Sequence, residues 1–131
     1  MTTLNDPPSV RRIDAPRPEL FAVEIVGHVS ASDVENLYGL LEGFYVLHER
    51  TDLLIRIVDN EGVDWDEVSP ETVKAAGEHA EAHIARCAVI GETRATRRIA
   101  DVFCPSSAEL RHFAASEENA AWEWLGRGPV G

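Results

Sequence analysis

Basic residues are scarce in this sequence: Lys and Arg number 12 against 23 Asp and Glu, leaving a formal charge of −11. Such a chain is repelled by phosphate backbones and anionic bilayer surfaces, which argues against a nucleic-acid binder even though a local basic patch can still hold one anion. Cysteine is nearly absent as well. Cys87 and Cys104 are the only two, too few for a disulfide framework, and no CxxC element is present to build a zinc site. Both are expected to be reduced thiols, with Cys87 serving as a small hydrophobe inside an apolar string. No apolar run approaches the ~20 residues of a membrane span, and the amino end carries no secretory pattern, so integral membrane association is not expected and a cytoplasmic location is. Missing too are the GxSxG elbow, the GxxxxGK[ST] phosphate loop and the GxGxxG turn. His28, His48 and His112 fall on different predicted elements with no nucleophile beside them. The expectation is a protein without enzymatic activity, cofactor or metal.

What is present is a domain-sized chain of 131 residues, 44% apolar, enough to bury a core. Residues 1–9 and 126–131 are rich in Pro, Gly and polar residues and are expected to be flexible ends around a single domain spanning residues 10–125. VRRID and LFAVEIVGHV read as two strands broken by the turn APRPE, hence a hairpin. SASDVENLYGLLEGFYVLHER opens with Ser32 and Glu35 in capping-box spacing and carries Val34, Leu37, Tyr38 and Leu41 along one helical stripe. LLIRIVD reads as a strand covered by helices, bounded by DNEG. After Pro70 a helix presents Val73, Ala76, Gly77, Ala80 and Ile84 as a narrow stripe of mostly small residues. ARCAVIG is apolar on both alternating faces, which predicts a strand covered on both sides and makes it the best candidate for a central position. TRATRRIADVF predicts a short helix with Ala95, Ile99, Val102 and Phe103 inward and Arg94, Arg97 and Arg98 outward, ended by Pro105. AELRHFAA reads as a last strand, and SEENAAWEWL as a last helix capped by Ser116, with Ala121, Trp124 and Leu125 on its buried side. The fold expected is α/β: a mixed, largely parallel sheet of about five strands entered by a β-hairpin and flanked by about four helices.

The segment GEHAEAHIARCAVIGE raises the question of a metal site, because His79 and His83 are four residues apart and so lie about 40° apart on a helix. The residue after His79 is Ala80 where a zinc protease needs Glu, and both rings point about 80–120° away from the buried stripe. Boundary positions on a solvated helix explain them without an ion.

Between Asp59 and His83, eight carboxylates face Lys74 alone, a local charge of −7. DNEGVDWDEVSPE nonetheless fails as a calcium loop, since Asp64 stands where the sharp turn needs Gly and Pro70 where a bidentate Glu belongs. Weak cation association with the crowded carboxylates stays open beside the plainer reading of a solvated acidic loop. Trp65, flanked by Val63 and Val68 within that stretch, either folds back on the core or meets a ligand. Arg94, Arg97 and Arg98 form a small basic patch able to hold one anionic group, or simply a polar helix face.

The strand FAVEIVGHVSASD, the segment RCAVIGE with Arg86, Ala88, Val89 and Gly91, VFCPSSAELRHF with Phe103, Pro105 and Phe113, and the closing AAWEWL occur in an order that resembles the SpoIIAA-like family, relatives of the STAS domains of bacterial anti-sigma-factor antagonists. The resemblance covers about Val10 to Leu125. It implies a small sheet flanked by helices, no known enzymatic activity and, in some members, similarity to lipid-binding CRAL-TRIO domains. One feature of the antagonists is missing: their phosphorylatable serine, in a motif similar to DSSG, is replaced here by DNEGVDWDEVSPE. A phosphate on Ser69, the nearest hydroxyl, would face Asp64, Asp66, Glu67 and Glu71, whose charge opposes it.

Two functions follow as expectations. The first is a binding domain for a small apolar or lipid-like molecule, in a cleft at the carboxyl end of the sheet lined by Trp65, Val68, Ile99 and Phe103. The second is a protein-interaction module that docks a basic partner through Asp59, Glu61, Asp64, Asp66 and Glu67. A homodimer through exposed helix faces or a sheet edge stays open.

Overall fold

The computed structural model describes residues 9–91, 94 and 97–126. Its five strands run β1 (Val10–Ile13), β2 (Leu20–Val29), β3 (Thr51–Val63), β4 (Ile84–Ile90) and β5 (Glu109–Phe113), and they lie in the sheet in that same order. β1 pairs antiparallel with β2, while every later pair is parallel. Parallel neighbours require crossovers. These carry α1 (Ala31–Leu47), α2 (Pro70–His83) and α3 (Arg97–Phe103), and α4 (Glu118–Gly126) follows the last strand.

The two sheet faces are covered differently. Phe21, Val23, Ile25, Leu53, Ile55, Ile57, Cys87 and Val89 share one core with α1, α2 and α3. Leu20, Ala22, Leu54, Ala88 and Ile90 form a smaller core with Ala121 and Leu125 of α4, edged by partly buried Ile13, Ala15, Phe113, Trp122 and Trp124. β4 is therefore walled in on both faces, as its apolar run from Cys87 to Ile90 predicts. It lies between β3 and β5; the middle strand of the five is β3.

Local chemistry accounts for most boundaries. Ser69 caps α2 by accepting from the Glu71 N–H, and Pro70 occupies the first turn, where its missing donor costs nothing. α1 is capped by Ser30 and Asp33 in a reciprocal box, not by Ser32 and Glu35. Two serines compete in SAS, and β2 ends at Val29, so the first serine takes the cap. Ser116 lies inside a single 3-10 turn, Ala115–Glu117, whose Glu117 carboxylate accepts from the Ala114 N–H at 2.9 Å. The inward set of α3 is buried as expected at Ile99, Val102 and Phe103, while Ala95 lies outside the described residues. Trp124, expected to be buried, is half-exposed between the guanidiniums of Arg86 and Arg111.

The site departs from the sequence expectation at β3 and at the cysteines. β3 does not stop before DNEG but continues to Val63, pairing with β2 through register shifts at Gly27, so that Gly27 meets Asn60 and His28 meets Gly62. The bulged ribbon uses positive φ at Gly27, Asp59 and Gly62, and the Asn60 side chain clips it by donating to Gly27 O and accepting from Gly62 N–H. Turn-forming residues thus build a bulge within a strand instead of ending it. Cys87 and Cys104 form a disulfide, with Cα atoms 6.0 Å apart. The expected free thiols fail because α3 folds back and delivers Cys104 onto β4, a proximity that a separation of 17 residues conceals in the sequence.

A candidate binding recess at the carboxyl edge of the sheet

At the carboxyl ends of β2 and β3 the chain turns sharply. The Asp64 N–H donates to Val29 O at 2.9 Å, and a 3-10 turn over Trp65–Glu67 closes with Val68 N–H to Trp65 O at 3.0 Å. This turn and the exposed side of α3 enclose a recess of about 460 Å³ lined by Val63, Asp64, Trp65, Asp66, Glu67 and Arg98. The Arg98 guanidinium lies 5.1 Å from the centre of the Trp65 ring, within reach of a cation–π contact. Trp65 is half-buried against the core, and its indole Nε1 is buried with no hydrogen-bond partner.

The rim is charged. Asp66 and Glu67 are exposed, whereas Asp64 is half-exposed and tied to His28, with Nε2 to Oδ2 at 2.9 Å. The hydrogen bond and the charge of Asp64 raise the His28 pKa above its ordinary value, with a smaller contribution from Glu61. Asp59 and Glu61 belong to the bulged ribbon beside the recess and face solvent.

Of the four residues expected to line an apolar cleft, only Trp65 does so. Val68, Ile99 and Phe103 gather in the same cluster beneath it, but they are 5%, 2% and 2% exposed and fill the core. The reason is size: α3 has seven residues, and its whole apolar side is consumed in the core it shares with α2 and the sheet. Of the acidic five, Asp64, Asp66 and Glu67 reach the recess. Sequence reasoning missed His28, because the bulge that carries it to Asp64 leaves no periodic signal. It found Arg98 only as part of a basic patch.

The remaining motifs resolve into scaffold. His83 stacks on Tyr45 at 4.5 Å and 8°, with Nδ1 at 2.8 Å from Glu49 O. His79 pairs with Glu42 at 2.7 Å beside Tyr38. Both rings therefore serve the α1–α2 seam. Across the opposite sheet face, Glu24 bridges Arg11 and Arg56, and Arg56 continues to Glu118. Nearer the strand origins, Asp52 receives Arg17 and Arg86, and Arg86 also donates to the Trp124 carbonyl at the end of α4.

The SpoIIAA-like family model matches residues 20–126. The chain belongs to the SpoIIAA-like family. The fold of this SpoIIAA-like chain is shared by the crystal structure of an uncharacterized protein of the DUF3478 family from Shewanella loihica, itself described as having a SpoIIAA-like fold. That protein is 21% identical, with a TM-score of 0.62 over 88% of this chain and 91% of the other. No curated protein matches the chain. Among the described residues of this SpoIIAA-like domain, no helix is long and apolar enough to cross a membrane.

Proposed function

We propose that this SpoIIAA-like chain is a non-enzymatic binding domain whose recess at Trp65 receives a cationic group, such as a guanidinium or ammonium, presented by a basic partner protein. The observation that carries the reading is the Arg98 guanidinium lying over the Trp65 ring inside a rim of Asp64, Asp66 and Glu67. An aromatic face bordered by carboxylates is a cation site by chemistry, and Arg98, exposed and on a long stem, acts there as an internal occupant that a stronger cation displaces. The indole Nε1 beside this face is a buried donor without a partner, a state that costs about 1–3 kcal/mol, so an acceptor on the partner that reaches it adds to the binding.

The second reading, a small apolar or lipid-like ligand, draws support from Val68, Ile99 and Phe103 belonging to the core cluster against which Trp65 packs. It requires α3 to lift, because those side chains now pack against the sheet.

Tryptophan fluorescence with a short oligo-arginine peptide and, separately, a fatty acid distinguishes the two. The cation reading expects peptide binding that weakens as salt rises and is lost in Trp65→Ala and in Asp66→Asn/Glu67→Gln. Salt-insensitive fatty-acid binding that depends on Trp65 supports the second reading. Neither survives if wild type binds neither probe.

A further inference from the structure

The Cys87–Cys104 bridge stands outside the recess yet is connected to it. Cys87 is fully buried on β4, in register with Leu53 of β3 and Leu110 of β5. Cys104 directly follows α3, and its N–H donates to Ala100 O at 2.8 Å, closing the last turn. The bridge therefore joins the carboxyl end of α3 to the sheet. Arg98 sits six residues earlier on the same short element, roughly 9 Å along its axis. A helix of seven residues is too short to hold its shape in water without external support. Its support comes from Ile99, Ala100, Val102 and Phe103 on one side and the covalent tie at its end.

We infer that the Cys87–Cys104 pair is a thiol–disulfide staple that fixes α3 and, through Arg98, sets how firmly the Trp65 recess is covered. Exchange with a dithiol begins when a reductant thiolate attacks one sulfur and the other leaves as a thiolate. Both sulfurs are buried, and Cys104 is the less deeply buried target: it is 6% exposed against 0% for Cys87. A shallow groove of about 400 Å³ between α2 and α3 is lined by its neighbours Val102, Pro105 and Ser106, so attack follows a local opening of this end of α3. The mixed disulfide forms on Cys104, and Cys87 leaves and takes up a proton. The second thiol of the reductant then releases Cys104 and closes its own disulfide, so two electrons and two protons pass to the protein. No third cysteine exists in the chain, so internal reshuffling cannot compete. Glu78, Glu81 and Asp101 border the groove against Lys74 alone, and their charge disfavours anionic thiols such as glutathione relative to a neutral dithiol. The inference goes beyond the proposed cation site and holds whatever the recess receives.

The test uses the full chain equilibrated in oxidised or reduced dithiothreitol, with thiols counted by alkylation and intact mass after denaturation. Hydrogen exchange is then followed along the chain by mass spectrometry. The oxidised protein is expected to show no alkylation and the reduced protein two, both as monomers. Reduction should raise exchange about tenfold over residues 97–104 while β2 and α4 stay unchanged, and Cys87→Ala/Cys104→Ala should match the reduced pattern and ignore dithiothreitol. Free thiols in the oxidised sample, a disulfide-linked dimer, identical exchange in both states, or a rise spread over the whole chain would each overturn the staple.

Discussion

His28 on β2 and Asp64, which follows β3, meet at 2.9 Å where the bulged ribbon ends. The pair links the ribbon to the recess, because Asp64 is also part of the rim. His28 has a raised pKa, mainly from its hydrogen bond to Asp64. For a raised histidine, the stabilising contribution is complete below the unfolded value of about 6.5 and disappears as pH climbs through the folded value. An NMR titration should place the His28 imidazole midpoint above the ordinary value, and Asp64→Asn should bring it back down. A midpoint unaffected by Asp64→Asn removes the pairing.

The same pair couples proton to ligand. Protonated His28 offsets the Asp64 charge, and its deprotonation leaves that carboxylate uncompensated at the rim. Oligo-arginine binding is therefore expected to strengthen as pH rises through the His28 midpoint, and His28→Gln should flatten this dependence. The opposite slope would mean that Asp64 does not face the bound cation.

Glu24 is the hinge of the charged array on the other face. Burial disfavours its charge, yet hydrogen bonds from Arg11 and Arg56 outweigh this and hold its pKa below the usual carboxylate range. With a depressed pKa, the stabilisation is present above the unfolded value and fades as pH falls through the folded one. Glu24→Gln keeps the shape but removes the charge between two arginines. Because Arg11 and Arg56 are partly exposed, at 53% and 26%, the loss is expected to be about 1–3 kcal/mol, below that of a fully buried pair. Urea unfolding at neutral pH measures it, and the difference between variant and wild type should shrink in acid.

Periodicity made most of this architecture legible. The apolar run in Cys87–Ile90, the stripe Val34–Leu37–Leu41 and the helix start at Pro70 are local features whose physics lies within a few residues of each other. The site is not of that kind. His28 reaches Asp64 only through a bulge, Cys104 reaches Cys87 only after α3 folds back, and Glu24 is tolerated in a buried strand only because Arg11 and Arg56 come from two neighbouring strands. Each depends on register between segments, which a linear pattern does not encode. Trp65 was visible as an aromatic among carboxylates, but which of its neighbours would face outward depended on how much apolar surface α3 had to spend on the core.

Gly91 and Gly77 give a contrast in backbone requirement. Gly91 ends β4 with φ +76°, and a Cβ there would lie 2.7 Å from the Ile57 carbonyl oxygen. Both the conformation and the close approach exclude a side chain, so Gly91→Ala is expected to cost about 1–3 kcal/mol. Gly77 is within α2, and a Cβ would meet Val102 O at an ordinary 3.9 Å. Gly77→Ala should gain up to about 1 kcal/mol from helix propensity. Denaturant unfolding of the two variants should move in opposite directions; a neutral Gly91→Ala would contradict the close packing of β4 against β3.

His79 and His83 share one side of α2 but face different partners on α1. If His83 is scaffold, its worth lies in the parallel stack on Tyr45 and the contact with Glu49 O, and it depends on no ion. His83→Ala should then destabilise by about 0.5–1.5 kcal/mol, and His83→Phe should restore much of that by keeping a flat ring on Tyr45. His79 faces Glu42 instead, so it should respond separately, with the double variant close to additive. A metal shared by the two rings predicts the reverse: His83→Phe as damaging as His83→Ala, strong non-additivity, and a melting temperature that rises with zinc and falls with chelator. Thermal melts of these variants with and without zinc decide between an aromatic seam and an ion site, because only the seam tolerates a phenyl ring in place of an imidazole.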